Sequence, residues 1–219
     1  MSSQAELSRG HQSGSGLRKF VLPAIVIAVL VAMALDTKVV RIGSGEDVRA
    51  QVFSPETFGK KEFPKIKAAI EKTAVDAKQL AEAIAADKAA AGEKYGKPGS
   101  VGPIFPVKFS GVVGEGSSGV FKVKVTDLPE GIGVRVQTGP AINGTEVRDA
   151  TGTISFGAFT NQIEYQDAGA ALNDQIKAQV LATLDREKLP GKTIEVVGVF
   201  QLINPANWMV TPVRLKVAP

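Results

Sequence analysis

The segment VKFSGVVGEGSSGVFKVKV, Val107 to Val125, sets the hydrophobic period of the chain to two. Val107, Phe109 and Val113 alternate with Lys108 and Ser110, and Phe121, Val123 and Val125 alternate with Lys122 and Lys124. Successive side chains on a strand point to opposite faces, so this pattern predicts two half-buried strands joined by a glycine-rich turn. The turn itself, GEGSSG at Gly114–Gly119, matches the letters of a dinucleotide-binding loop. That motif needs a helix after it, whose amino terminus holds the pyrophosphate, and here a strand follows; the segment reads as a hairpin loop.

Working outward, GVRVQT and GTISFG continue the alternation through Val134, Val136, Ile154 and Phe156, which predicts a further strand over Gly152–Gly157. A helix is expected from about Ala170 to Glu187, with Leu172, Ile176, Val180, Leu181 and Leu184 inward. KTIEVVGVFQLI and WMVTPVRLKVAP supply two closing strands. A small antiparallel sheet must hide its edges, and closing on itself with a helix stopping one end does so. The order of strands, one helix, two strands is that of the oligonucleotide/oligosaccharide-binding (OB) fold. The fold class expected is therefore α+β: an amino-terminal membrane helix, a long amphipathic helix, and an antiparallel OB-like β-barrel with one helix inserted before the last two strands.

Upstream, Ser54-Pro55-Glu56 is a helix-start signal. Ile66, Ile70, Thr73, Ala77, Leu80 and Ile84 recur at steps of three and four, which predicts one long helix over 63–92. The run Phe20–Leu35 is uncharged and apolar, follows Arg18-Lys19, and precedes Asp36. Its length falls between a signal-peptide core and a full span of roughly 20 residues. Basic residues before it keep the amino terminus in the cytoplasm and send the rest across. The expected organisation is a cytoplasmic tail at 1–19, a transmembrane anchor or signal segment at 20–35, a linker at 36–62, the long helix, and the barrel at 105–219. An uncleaved inner-membrane anchor is favoured; cleavage after Ala34, at Ala32-Met33-Ala34, is the alternative.

The composition excludes several chemistries. There is no cysteine, and the single histidine, His11, lies in the polar amino-terminal stretch, so thiol nucleophiles, Ser-His-Asp triads and histidine general bases are absent from the folded part. The formal net charge is +4 over 219 residues, with no basic run in the folded part, which argues against nucleic acid as a partner. No catalytic residue, metal ligand or cofactor is assigned.

Two clusters remain as candidates for contact with a ligand. FTNQIEYQDAG, Phe159–Gly169, gathers Asn161, Gln162, Glu164 and Tyr165, residue types that recognise sugar hydroxyls and ring faces. Helix capping by Asp167 and satisfaction of loop backbone explain the same residues without a ligand. In FQLINPANWMVTPVRL, Asn204-Pro205 starts a turn, and Asn207 and Trp208 begin the last strand, with Trp208 as either core lid or ligand contact. Arg148, in the loop GPAINGTEVRD, completes the candidate set. Glu164 with Asp167, or with Glu146 or Asp149, could furnish the carboxylate pair of a glycan-acting enzyme, the rival reading.

The strings GPIFPVKFSGVV, VQTGPAINGTEVRDATGTISFGAFTNQIEYQDAGAALN and FQLINPANWMVTPVRLKV together resemble an uncharacterised bacterial family of predicted periplasmic lipoproteins, domain of unknown function 2291. The resemblance implies an exported protein held at the membrane and assigns no activity. It also implies an accessory role beside sugar-uptake ABC transporters, whose components become expected partners. The chain departs from the lipoprotein label in having no cysteine to carry a lipid. The expected function is a non-catalytic, membrane-anchored periplasmic binding or assembly module.

Overall fold

The computed structural model describes residues 15–37 and 53–218. It falls into two units, Met1–Gln51 and Val52–Pro219. The first contains α1 (Ser15–Asp36), with Pro23 inside it and Phe20, Leu22 and Leu30 open to solvent. Among the described residues no helix is long and apolar enough to cross a membrane. This corrects the expected transmembrane anchor at 20–35. At about 1.5 Å per residue the sixteen apolar residues cover about 24 Å, against a hydrocarbon core of about 30 Å. The tail at 1–14 and most of the linker, 38–52, lie outside the described residues.

In the second unit the single long helix expected over 63–92 is instead three. α2 (Pro55–Thr73) starts at Ser54, whose hydroxyl accepts from the Thr57 N–H at 3.4 Å, and it ends where Ala74 turns extended. β1 (Val75–Asp76) then pairs in parallel with Val107 and Lys108. Asp76 caps α3 (Ala77–Ala86) by accepting from the Lys78 N–H, and Asp87 caps α4 (Lys88–Tyr95) by accepting from Ala89 and Ala90. An aspartate that satisfies free N–H groups begins a helix, so each of these residues breaks the run that the apolar spacing had made continuous.

The strands are β2 (Ile104–Ser117), β3 (Val120–Val125), β4 (Gly133–Gln137), β5 (Thr193–Gln201) and β6 (Asn207–Val217). Their pairings return to their origin: β2 to β3, β3 to β4, β4 to β6, β6 to β5, and β5 back to β2. All are antiparallel except β4 with β6. The long β2 makes the circuit possible, because residues 104–112 pair with β5 while 111–117 pair with β3. The β2–β3 turn places Ser118 at φ 52° and Gly119 at φ 76°. A side chain on Gly119 would overlap the Gly139 carbonyl, so glycine is required there by both conformation and space.

β5 is buried on both faces, and it separates two cores. Ile194, Val196 and Phe200 face the first, with Val107, Val134, Val136, Trp208 and Val210. Val197 and Val199 face the second, with Phe63, Ile66, Ile70, Leu172, Ile176 and Val213. The helices that enter the first core are α3, through Ala77, Leu80 and Ile84, and α4, through Ala91. The helix between β4 and β5, α6 (Gln162–Gln179), instead joins α2 in the second core, and the two approach closely enough that a Cβ on Gly59 would lie 2.8 Å from the Ala171 carbonyl oxygen. The expected stopper was the wrong helix. The stripe Ile66, Ile70, Leu80, Ile84 is shared between two cores rather than buried against one surface.

Two other expectations are corrected. No strand forms over Gly152–Gly157; Phe156–Ala158 is a 3-10 turn, and a two-residue alternation without a partner strand has no ladder to join. α6 begins eight residues before the expected start and ends at Gln179, because Asn161 caps it rather than Asp167. Val180 and Leu181 continue inward past its end as irregular chain.

Candidate functional site

Four of the candidate residues meet at the amino end of α6. Asn161 accepts from the Glu164 N–H at 2.9 Å, and Glu164 reaches back to accept from the Thr160 N–H at 2.9 Å, a reciprocal arrangement that satisfies free donors at the helix start. α5 (Glu146–Asp149) brings Arg148 beside Tyr165. The Arg148 side chain is 6% exposed, and its Nε and Nη2 donate to the two carboxylate oxygens of Asp149 at 2.7 and 3.0 Å. Its Nη1 donates to the Tyr165 carbonyl at 2.8 Å, while the guanidinium lies 3.5 Å from the Tyr165 ring centroid.

Asp149 accepts further from the hydroxyls of Tyr165, at 3.2 Å, and Thr145, at 2.9 Å. Burial first, then the Asp149 charge, push the Tyr165 phenol above its ordinary value. Phe156 and Phe159 pack edge-on or tilted against the same tyrosine, and Phe53 and Phe58 pack against Phe159 and each other. These contacts pair the buried charge and lock α5 onto α6, as a buried arginine demands. They leave Asp149 and Glu164 occupied within the fold. Glu146 is the half-buried neighbour; burial, and then the Asp149 charge against the opposing effect of a backbone N–H, raises its carboxyl above the usual range. Gln162 stands exposed at the first turn.

Asn207 and Trp208 lie elsewhere. Trp208 is 0% exposed, stacks on Phe200 with centroids 4.5 Å apart, and donates from Nε1 to the Pro205 carbonyl at 2.9 Å. As a ligand contact it is corrected: it is core, because β6 directs it to the same face as Val210. It shares no surface with the Asn161–Tyr165 cluster. The NPAN turn does form, with Asn204 accepting from the Ala206 N–H at 2.9 Å.

Asn207 belongs to a different surface, the outward face of β3 and β4. A groove of about 510 Å³ runs there, lined by Glu115, Lys122, Lys124, Arg135, Asn207 and the glycines and valines between them. The alternation that buries Val123 and Val134 turns Lys122, Lys124 and Arg135 outward. Register sets Lys122 directly opposite Arg135, and like charges so placed repel. Among the described residues no carboxylate pairs with any of the three. Arg135 is nonetheless held, since its Nε donates to Asn207 Oδ1 at 3.1 Å. Sequence reading found Asn207 but missed the cations, which are separated along the chain; the outward positions of alternating strands were the available signal.

A larger groove, about 820 Å³, runs along α4 and residues 97–103, but its walls are mostly glycine, alanine and proline and offer few directional groups.

Comparisons with known proteins add a family and a fold. A family model described as "Predicted periplasmic lipoprotein (DUF2291)" matches residues 24–216. A crystal structure of an OB-fold protein from Thermotoga maritima is similar over 76% of this chain and 99% of that one, with a TM-score of 0.63 and 17% identity. No curated protein matches the sequence.

Proposed function

We propose a non-catalytic binding role for this chain, which belongs to the family of predicted periplasmic lipoproteins whose model spans residues 24–216. Membership supports a periplasmic location, and the solved neighbour supports an OB-type fold. The finer reading is that the circuit of five strands is a closed barrel, filled by α3, whose outer wall at β3 and β4 takes the ligand. In OB folds the wall made by the second and third strands of the circuit, with the loops at its ends, binds extended ligands. β3 and β4 hold those positions here, and Asn207 follows the loop between the last two strands.

One observation carries this reading: Lys122 and Arg135 are set against each other across two strands with no carboxylate between them. A surface under selection for stability alone has little reason to keep that pair. Asp149 and Glu164, two of the four carboxylates of the rival catalytic reading, are engaged in holding Arg148 and in capping, which favours binding over turnover.

The test is an NMR titration of the labelled full chain with neutral oligosaccharides, acidic oligosaccharides and phosphorylated sugars. Amide shifts concentrated at Lys122, Lys124, Arg135 and Asn207 support the reading. Shifts confined to the amino end of α6, or hydrolysis of any oligosaccharide, overturn it.

The family label raises the question of attachment. This chain has no cysteine, the residue through which a lipoprotein receives its lipid. The sixteen-residue apolar run within α1, led by Arg18-Lys19 and containing Ala32-Met33-Ala34 near its end, fits an export signal removed on crossing. Mass spectrometry of the protein recovered from the periplasm should then give an amino terminus at Leu35; a chain still carrying residues 20–35 rejects cleavage.

A further inference from the structure

The β3–β4 groove has a charge balance and a donor geometry that narrow its ligand. Three cations line it against the single carboxylate of Glu115, leaving two positive charges without a counter-ion. Lys122 and Arg135 are direct cross-strand partners, so their Cβ atoms lie about 4.5–5.5 Å apart, and Lys124 follows Lys122 on the same face one strand-repeat away. One small anion can therefore reach all three.

The Arg135 guanidinium is oriented before any ligand arrives. Asn207 accepts from Nε, and among the described residues neither Nη group makes a hydrogen bond, so the remaining edge of the fork has no partner within the fold. That edge matches two oxygens of one oxyanion, and the lysines act as mobile point charges beside it. A carboxylate carries one negative charge and would leave the site positive. A phosphate monoester carries about −1.5 to −2 at neutral pH and presents three acceptor oxygens, matching both the charge and the donors.

We infer that the groove bounded by Lys122, Lys124, Arg135 and Asn207 binds a phosphate monoester. This rests on the proposed binding role of the same face and names the ligand chemistry for it. A phosphorylated sugar and the headgroup of phosphatidic acid are both phosphate monoesters, and the experiment separates them.

Glucose 6-phosphate and glucose are titrated calorimetrically into the full chain, and phosphatidylcholine vesicles with and without phosphatidic acid are tested by co-sedimentation. A soluble ester is the ligand type if glucose 6-phosphate binds, glucose does not, and the affinity falls about tenfold or more between low and high salt, as a screened charge interaction must. A headgroup is the type if only the vesicles containing phosphatidic acid carry the protein down. In either case Arg135→Gln should reduce binding about tenfold. Arg135→Lys should reduce it as well, since an ammonium cannot form the two-pronged contact. Lys192→Gln, a lysine outside the groove, should leave binding unchanged.

If neither phosphate form binds while a neutral oligosaccharide shifts the same amides, the phosphate assignment is overturned and the binding role survives. If phosphate binds equally well to Arg135→Gln and to the unaltered chain, the assignment to this groove is overturned.

Discussion

The amino end of α6 and the outer wall of β3–β4 use polar residues in opposite ways. At the helix, Arg148 sits almost fully buried, and its bonds to Asp149 and the Tyr165 carbonyl complete a closed set in which every strong group has a partner. On the wall, Lys122, Lys124 and Arg135 share a face with no carboxylate partner, and only Arg135 is anchored. The first region is dense in polar residues and is satisfied by its own fold. The second is sparse and is left unsatisfied by its own fold, which is the condition for recruiting something from outside.

The largest test of this contrast is Asp149→Ala. It strands a buried guanidinium, so unfolding free energy should fall by about 3–5 kcal/mol, read from the urea midpoint. A loss below about 1 kcal/mol, the range of exposed ion pairs, would mean the knot is dispensable. Next comes Asn161→Ala, which removes the cap of α6 and should cost about 1 kcal/mol. An Asn161→Ala protein that also lost ligand at the β3–β4 wall would contradict the separation of the two regions.

On the wall the sign reverses. Lys122→Gln relieves a repulsive cross-strand pair and should raise stability by roughly 0.2–1 kcal/mol, near the lower end because the side chain is exposed, while binding weakens. A destabilised Lys122→Gln would show that the lysine serves the fold. The smallest effect is a pH slope. Burial raises the Glu146 carboxyl above its ordinary 4.5, so the folded state holds that proton longer than the unfolded chain does. Its contribution is complete below the unfolded value and is lost as pH rises through the folded one. Glu146→Gln should flatten that decline and be the more stable protein at neutral pH; a parallel pH profile for the two proteins would show that the carboxyl is not perturbed.

Much of the architecture was legible because alternation is a local property. Val107, Phe109, Val123 and Val134 announce strands wherever they stand, and the Pro55 start of α2 needs only its neighbours. The break in the helical region was harder to see. Asp76 and Asp87 sit among residues that favour helix, and nothing local says that Val75 will pair with Val107, thirty-two positions away. The polar cluster at Asn161–Tyr165 drew attention as a ligand site through its density, yet density is also what a helix cap and a buried arginine require. Trp208 posed the same ambiguity, and its burial resolved it.

Composition and periodicity alone decided the absence of cysteine chemistry, the existence of β2, β3, β4, β5 and β6, and which side of β3 and β4 carries charge, since each depends on residues within a few positions of one another. Which helices enter the first core, and that Lys122 meets Arg135, depended on register between distant segments. Register is chosen by the burial of whole strand faces at once, and a one-residue slip would have sent those cations inward.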